Sequence, residues 1–238
     1  MPTFKFLDSG PNIGAYNMAV DEELLARAQA GEHVPVLRFY TWDPAAVSIG
    51  RFQKIDEAVK AEACKRRGID IVRRITGGRA VLHNRELTYS IIARTDDTLF
   101  PTNVLGTYKL IASGLLRGLT NLGIPAEMVS RSSRHAALVK KDARDPACFS
   151  SPSWYEILVH GRKIIGSAQR RLSGAFLQHG SILMEYDAAL EAEVIPGGSG
   201  CDVVTSIRRE IGGNVSLAEV KQAFVKGFSE ALAIDLTA

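Results

Sequence analysis

Between residues 69 and 92 the chain offers three short apolar runs in quick succession: Ile69 to Arg73, Arg79 to His83 and Leu87 to Ile92. Runs of this length, punctuated by Gly and Asn, predict strands. The connection Ile75-Thr76-Gly77-Gly78 between the first two is tight, so its shape must be set by the strands on either side. A chain that places strands this densely is committed to a sheet, and the rest of its pattern decides which kind.

Upstream, strands and helices alternate. Phe4 to Leu7 predicts a short strand stopping at Asp8-Ser9-Gly10, and Ala15 to Ala28 predicts a helix with an apolar stripe of Ala15, Met18, Leu25 and Ala28. Val36 to Tyr40 and Ala46 to Ile49 predict strands on either side of a Trp42-Asp43-Pro44 turn, and Asp56 can cap a helix that runs to Arg67 and ends at Gly68. Thr102 to Leu122 predicts a long helix. Downstream the strands cluster: Trp154 to Val159, a turn at His160-Gly161, Lys163 to Ala168, and Ala175 to Met184 interrupted at Gly180. Ser216, with Glu219 three residues on, has the spacing of a reciprocal capping box and starts a helix to about Ala233. The pattern predicts an α/β fold (α+β in some schemes) around a mixed sheet, rather than a regular parallel one. The flexible connector Gly197-Gly198-Ser199-Gly200 leaves too few residues after it for a comfortable second domain.

Composition excludes several classes. With 46% hydrophobic and 23% charged residues the chain reads as globular rather than fibrous or disordered. The net charge of +3 is modest, and pairs such as Arg66-Arg67, Lys140-Lys141 and Arg208-Arg209 are too scattered to make a nucleic-acid stripe, although they suit an acidic protein partner. The three cysteines, Cys64, Cys148 and Cys201, are sparse and unpaired in spacing, which points to a reducing compartment and away from a disulfide framework or a zinc site. The N-terminus lacks the long apolar segment of a signal peptide and no run approaches a membrane span, so a cytoplasmic protein without membrane, metal or cofactor is expected.

Chemistry can reside in a few places. In Arg73-Arg74-Ile75-Thr76-Gly77-Gly78-Arg79-Ala80-Val81-Leu82-His83-Asn84 the two glycines permit positive φ and a close approach of main-chain N–H groups to an anion or carbonyl, with arginines as flanking donors. A plain hairpin with arginines in water fits the same residues. The segment matches neither the Walker loop nor Gly-x-Gly-x-x-Gly. Cys148 sits in a polar stretch, as a nucleophile requires, whereas Cys64 sits in a predicted helix beside Ala63 and reads as packing. Lys163 lies on a predicted strand followed by the small residues Gly166, Ser167 and Ala168, which leave room for an extended ligand; a surface lysine is the ordinary alternative. His83 and His179 suit either a Cys–His pairing or a structural role. Val81, Ile165 and Phe176 are candidates to enclose an apolar tail.

Taken together, these segments resemble the biotin/lipoate protein ligase superfamily, in its lipoate-attachment branch. Phe6-Leu7-Asp8-Ser9-Gly10, Asn17-Met18-Ala19 with Asp21-Glu22, Arg38-Phe39-Tyr40 with Trp42 and Pro44, Ser48-x-Gly50-x-x-Gln53, the arginine–glycine motif, Gly161 to Gln169 and His179-Gly180-Ser181 occur in the family's order across most of residues 4 to 187. Within the branch the chain resembles most the octanoyl-[acyl-carrier-protein]:protein N-octanoyltransferase family of Bacillus-like bacteria. ATP-dependent lipoate ligases typically carry a third glycine where this chain has Arg79 and an aspartate where it has Asn84, and many depend on a C-terminal accessory domain.

The resemblance implies a single catalytic domain over residues 1–238, without a large C-terminal accessory domain and without a cofactor. It implies that Cys148 takes octanoate from octanoyl-acyl carrier protein as a thioester and passes it to a lysine of a lipoyl-domain protein such as the glycine-cleavage H protein. It further implies that Lys163 attends the acyl carbonyl or the thiolate. Arg73, Arg74, Gly77, Gly78, Arg79, His83, Gly166, Ser167, Ala168 and His179 are then the expected substrate-binding residues. A lipoyl-domain amidotransferase, an ATP-dependent ligase and a non-enzymatic acyl- or lipoyl-protein binding module are the competing readings.

Overall fold

The structure, a computed structural model, describes residues 1–129, 156–198, 200 and 202–237. Cys148 and Cys201 lie outside the described residues. An eight-stranded mixed sheet forms the frame, in the order β11 (Asp235–Thr237), β1 (Thr3–Asn12), β2 (Val36–Trp42), β6 (Glu86–Arg94), β10 (Ala175–Leu183), β9 (Arg162–Arg171), β8 (Ile157–Val159) and β7 (Ala126–Met128). The β1 strand runs parallel to both β2 and β11, and the remaining neighbours are antiparallel. This is the expected mixed α/β architecture.

Strand alternation divides the sheet into two faces of different chemistry. Leu37 and Phe39 on β2, Tyr89 and Ile91 on β6, and Phe176 and Ile182 on β10 point to one side, where they pack with Ile111, Leu115, Phe224 and Phe228 of α4 (Val104–Asn121) and α7 (Leu217–Leu232). This main core supplies most of the buried apolar surface, at about 1.5–3 kcal/mol per fully buried large side chain. The two helices come close because glycines line their contact: a Cβ on Gly118 would fall 2.5 Å from the Phe224 ring, and one on Gly227 would fall 2.4 Å from the Gly118 nitrogen. The capping box that starts α7 is formed, with the Ser216 and Glu219 side chains each bonding the other's main chain.

The other face of the sheet carries α1 (Gly14–Gln29), whose Leu24, Leu25 and Ala28 pack on Val36, Ile92 and Leu177. Beside it lies a three-stranded sheet in the order β4 (Asp70–Arg73), β3 (Ala46–Ile49) and β5 (Val81–His83). Its own small core holds Val47, Ile49, Ala63, Cys64 and Leu82, and Cys64 packs there as expected.

Several local expectations change in the folded chain. The Arg73–His83 segment is not a hairpin: β4 is parallel and β5 antiparallel to the same strand, β3, which lies between them. The helix expected from Asp56 to Arg67 is two, α2 (Ile55–Ala58) and α3 (Ala61–Arg67), without a side-chain cap from Asp56; Gly68 ends the second in the left-handed region. Gly180 does not interrupt β10, since it pairs with Tyr89 on one side and Ser167 on the other. Strand β1 runs on through Gly10 to Asn12, with a register shift between Asp8 and Pro11.

Candidate active site

The site lies between the α1-facing side of the large sheet and the three-stranded sheet. Residue pairing across strands sets two polar rows on that face. Tyr40, Thr88, Ser181 and Gly166 are successive partners across β2, β6, β10 and β9, and Arg38, Ser90, His179 and Ala168 form the neighbouring row. Because side chains alternate, these residues share one face while their chain neighbours build the main core. Between this face and β3–β5 is a partly open pocket of about 110 Å³. Met18, Tyr40, Trp42 and Val81 give it apolar wall, and Gly166, Ala168 and Gly180 line it without bulk.

Buried polar groups around the pocket pair in an interlocked set. Asp21 on α1 accepts from Arg38 Nη1 at 2.8 Å and Ser90 Oγ at 2.9 Å through one oxygen, and from the Tyr40 hydroxyl at 3.0 Å and His179 Nδ1 at 3.1 Å through the other. Burial raises the Asp21 carboxyl, but the hydrogen bond from His179 and the charge and hydrogen bond of Arg38 outweigh it and hold the group below its ordinary value. Burial pushes the His179 imidazole down, against the pull of Asp21. The neutral ring then donates from Nδ1 to Asp21, and its Nε2 accepts from the Thr76 hydroxyl at 2.7 Å.

His83 repeats this arrangement. Its Nδ1 donates to Glu86 at 2.8 Å and its Nε2 lies 2.7 Å from Ser48 Oγ, while Thr88 and Ser181 also donate to the Glu86 carboxylate. Both imidazoles are therefore clamped between a buried carboxylate and a hydroxyl.

The arginine–glycine motif takes its shape from Arg74. That guanidinium is buried and donates to Ser48 O at 2.8 Å and Ser48 Oγ at 3.0 Å, and to the carbonyls of Gly77 at 2.9 Å and Arg79 at 2.7 Å. Gly78, at φ +92°, lies so close to β3's end that a Cβ on Gly50 would meet the Gly78 carbonyl oxygen at 2.0 Å. Glycine is needed at residue 50 for the close approach and at residue 78 for φ. Arg73 points elsewhere: its Nη1 donates to the carbonyls of Gly50, Arg51 and Gln53 at 2.8–3.0 Å, pinning the turn after β3.

Lys163 is the least expected element. Rather than standing at the surface, its side chain is 1% exposed and its Nζ donates to Glu156 Oε1 at 2.6 Å, with Glu156 itself on the pocket wall. The Lys163 backbone is fixed as well, accepting from Thr205 N and donating to Val203 O, both at 2.9 Å. The chain after the glycine connector thus holds the lysine in place.

Of the residues singled out in sequence, Arg74, Gly78, Arg79, His83, Gly166, Ser167, Ala168 and His179 border the pocket, and Gly77 adjoins it through Arg74. Arg73 does not border it. Ile165 and Phe176 face the main core on the far side of the sheet, so of the suggested tail-enclosing residues only Val81 lines the pocket. Sequence reasoning missed Glu156, Glu86 and Thr76 as partners. Asp21, Ser48, Tyr40 and Trp42 carried the family resemblance without any sign of what they touch.

Comparison with known proteins places this geometry. Residues 14–229 match the lipoyl protein ligase A/B catalytic domain family. The chain is 45% identical to the octanoyltransferase LipM of Brevibacillus brevis, over all of this chain and 90% of that one. It is 42% identical to the octanoyltransferase LipM of Carboxydothermus hydrogenoformans, over 99% and 88%. Among solved structures it is similar to lipoate-protein ligase A bound with ATP (27% identity, TM-score 0.80, 99% of this chain and 87% of that one). It is also similar to the bipartite lipoate protein ligase of Thermoplasma acidophilum (25% identity, TM-score 0.77, 100% and 86%). A fold, a pocket and a relatedness that agree over nearly the whole length identify the chain as a member of the lipoyl protein ligase A/B catalytic domain family and, within it, of the LipM-type octanoyltransferases.

Proposed function

We propose that the protein transfers an octanoyl group from octanoyl-acyl carrier protein, through a thioester on Cys148, to one lysine of a lipoyl-domain protein such as the glycine-cleavage H protein, in the cytoplasm. The observation that carries the reading is where the Cys148 segment joins the described chain. Val129 N donates to Glu156 O at 2.9 Å, so the two described residues that flank the Cys148 segment in sequence meet at one point. That point is the pocket wall, where Glu156 meets Lys163. Identity to octanoyltransferases across the full chain supports the same chemistry.

In the first half-reaction the Cys148 thiolate attacks the donor's carbonyl carbon. A carbon–sulfur bond forms to Cys148, and the carrier thiolate leaves and is protonated. In the second, the deprotonated amine of the acceptor lysine attacks the same carbon, an amide forms, a proton is released and Cys148 departs as thiolate. Lys163, paired with Glu156 on the pocket wall, is the donor assigned to the developing oxyanion; a preorganised donor of this kind is worth on the order of 2.7–4 kcal/mol in the transition state. The apolar walls at Met18, Tyr40, Trp42 and Val81 take the hydrocarbon tail.

The test follows masses. Incubated with octanoyl-acyl carrier protein alone, the purified protein gains one octanoyl group located to Cys148, and a lipoyl-domain acceptor becomes octanoylated without ATP. Full acceptor modification by a Cys148→Ser variant refutes the covalent route. Modification that requires free octanoate and ATP moves the assignment to ligase chemistry.

A further inference from the structure

We propose that the turn after β3 is the docking point for the protein that delivers the acyl thioester. The Phe52 ring is its apolar anchor, and the basic surface of residues 51–79 guides the partner to it. The inference rests on the acyl-transfer reading above and names the surface that the donor meets.

An apolar side chain standing singly in water needs no explanation, but Phe52 is neither single nor loose. It is 85% exposed, more than any other large apolar side chain among the described residues, and Ile55, three positions on, is exposed as well. The backbone beneath the ring is nevertheless fixed. Gln53 N donates to Gly50 O and Gly50 N to Gln53 Oε1, both at 3.0 Å, and Arg51 N donates to Thr76 O at 2.9 Å. The Arg73 guanidinium ties down the carbonyls of Arg51 and Gln53, which flank Phe52. The Arg51 guanidinium lies 5.5 Å from the ring centroid. None of these bonds takes the ring out of water. An aromatic side chain beside an arginine is the composition of a binding hot spot, and holding it in place beforehand lowers the ordering cost of association.

The turn stands against the pocket. Gly50 abuts the Gly78 carbonyl, Gly78 and Arg79 line the wall, and Thr76, which accepts from Arg51 N, bonds His179 on the same wall. Charge then selects the kind of protein that fits. Of the chain's 29 Lys plus Arg and 26 Asp plus Glu, residues 51–79 hold nine and four, so this segment is five charges positive while the remainder is two negative. Arg74 is buried, and Lys54 and Arg67 pair with Glu57 and Glu193, but Arg51, Lys65, Arg66 and Arg73 are exposed on the same segment. Such a surface attracts an acidic protein and speeds its encounter. Of the two protein substrates, the acceptor must bring a lysine amine, which this charge repels. The donor's acyl thioester is uncharged, so the donor is the occupant.

Loading and discharge are timed separately in wild-type protein and in the variants F52A, F52E and R51E, with L105A as an exposed apolar control on α4. Thermal melts confirm that each variant is folded. Loading is followed by intact mass with octanoyl-acyl carrier protein and with octanoyl-N-acetylcysteamine, a thioester without a protein. Discharge is followed from pre-loaded protein to a lipoyl-domain acceptor. With octanoyl-acyl carrier protein, kcat/KM for loading is expected to fall about tenfold in F52A and further in F52E and R51E, through KM, and to hold in L105A. Loading from the protein-free thioester and discharge to the acceptor stay within about twofold of wild type. A loss with both donors makes the turn a brace of the pocket and overturns docking. A loss confined to discharge makes the acceptor the occupant and overturns the assignment to the donor, and no loss in any step overturns the surface altogether. Wild-type protein that takes octanoyl from neither thioester refutes the acyl-transfer reading itself.

Discussion

Lys163 and Glu156 form an ion pair at 2.6 Å with their side chains only 1% and 5% exposed, and Glu156 also accepts from Val129 N through its main chain. Each partner of a pair this deep helps to solvate the other. Removing one is expected to cost about 3–5 kcal/mol.

Lys163→Ala is therefore expected to lose both stability and acyl transfer. The double variant Lys163→Met with Glu156→Gln separates the two, recovering much of the urea midpoint while transfer stays at least about 100-fold down. Recovery of transfer along with stability would reduce Lys163 to a structural residue.

Protonation of His179 gives a pH signature. Burial holds this imidazole below its ordinary value of 6.5, so between the two values the unfolded chain binds the more protons. Its contribution to stability is full above about pH 6.5 and is lost as pH falls from there through the folded value. Urea unfolding from pH 7.5 to 5 should show wild-type stability falling more steeply on acidification than that of His179→Gln. Parallel slopes would contradict the assignment.

Gly180→Ala tests the close strand packing under the pocket. The added Cβ would lie 2.4 Å from the Gly166 carbonyl oxygen and 2.7 Å from Tyr89 Cε1, so β9 and β10 must separate locally. A loss of about 1–3 kcal/mol is expected in denaturant melts, with octanoyl transfer reduced because Gly166 and Gly180 both line the pocket.

Cys64 provides an internal control for thiol chemistry. It is fully buried in the small core, and burial pushes its thiol above the ordinary value. Native-state alkylation mapped by peptide mass should leave Cys64 unmodified, and Cys64→Ala should still accumulate the octanoyl thioester. Octanoyl mass on Cys64 in folded protein would overturn the expectation.

Local chemistry made much of the fold readable. The Ser216–Glu219 capping box, the His160-Gly161 turn with both residues at positive φ, and the Gly68 stop are written in adjacent residues, and each stands where the pattern puts it. The hairpin alternative at β4 and β5 fails because strand order is not local. The strand that separates them, β3, precedes both in the chain and pairs with each. Gly180 misled for a related reason: it reads as a break in isolation but as a required void once β9 lies against it.

The sequence by itself determined the alternation of β2, β6 and β10, and with it which residues share a face, because side-chain direction along a strand is a property of neighbours. It also carried the family, through motifs in order. Only the tertiary structure decided what those residues do to one another. His179 meets Asp21 from 158 positions away, Trp42 reaches Thr88 from 46, and Lys163 is buried because Glu156 and the Val203–Thr205 segment enclose it. A lysine's charge is legible in its name, but whether water or a carboxylate solvates it depends on chain segments that meet only on folding.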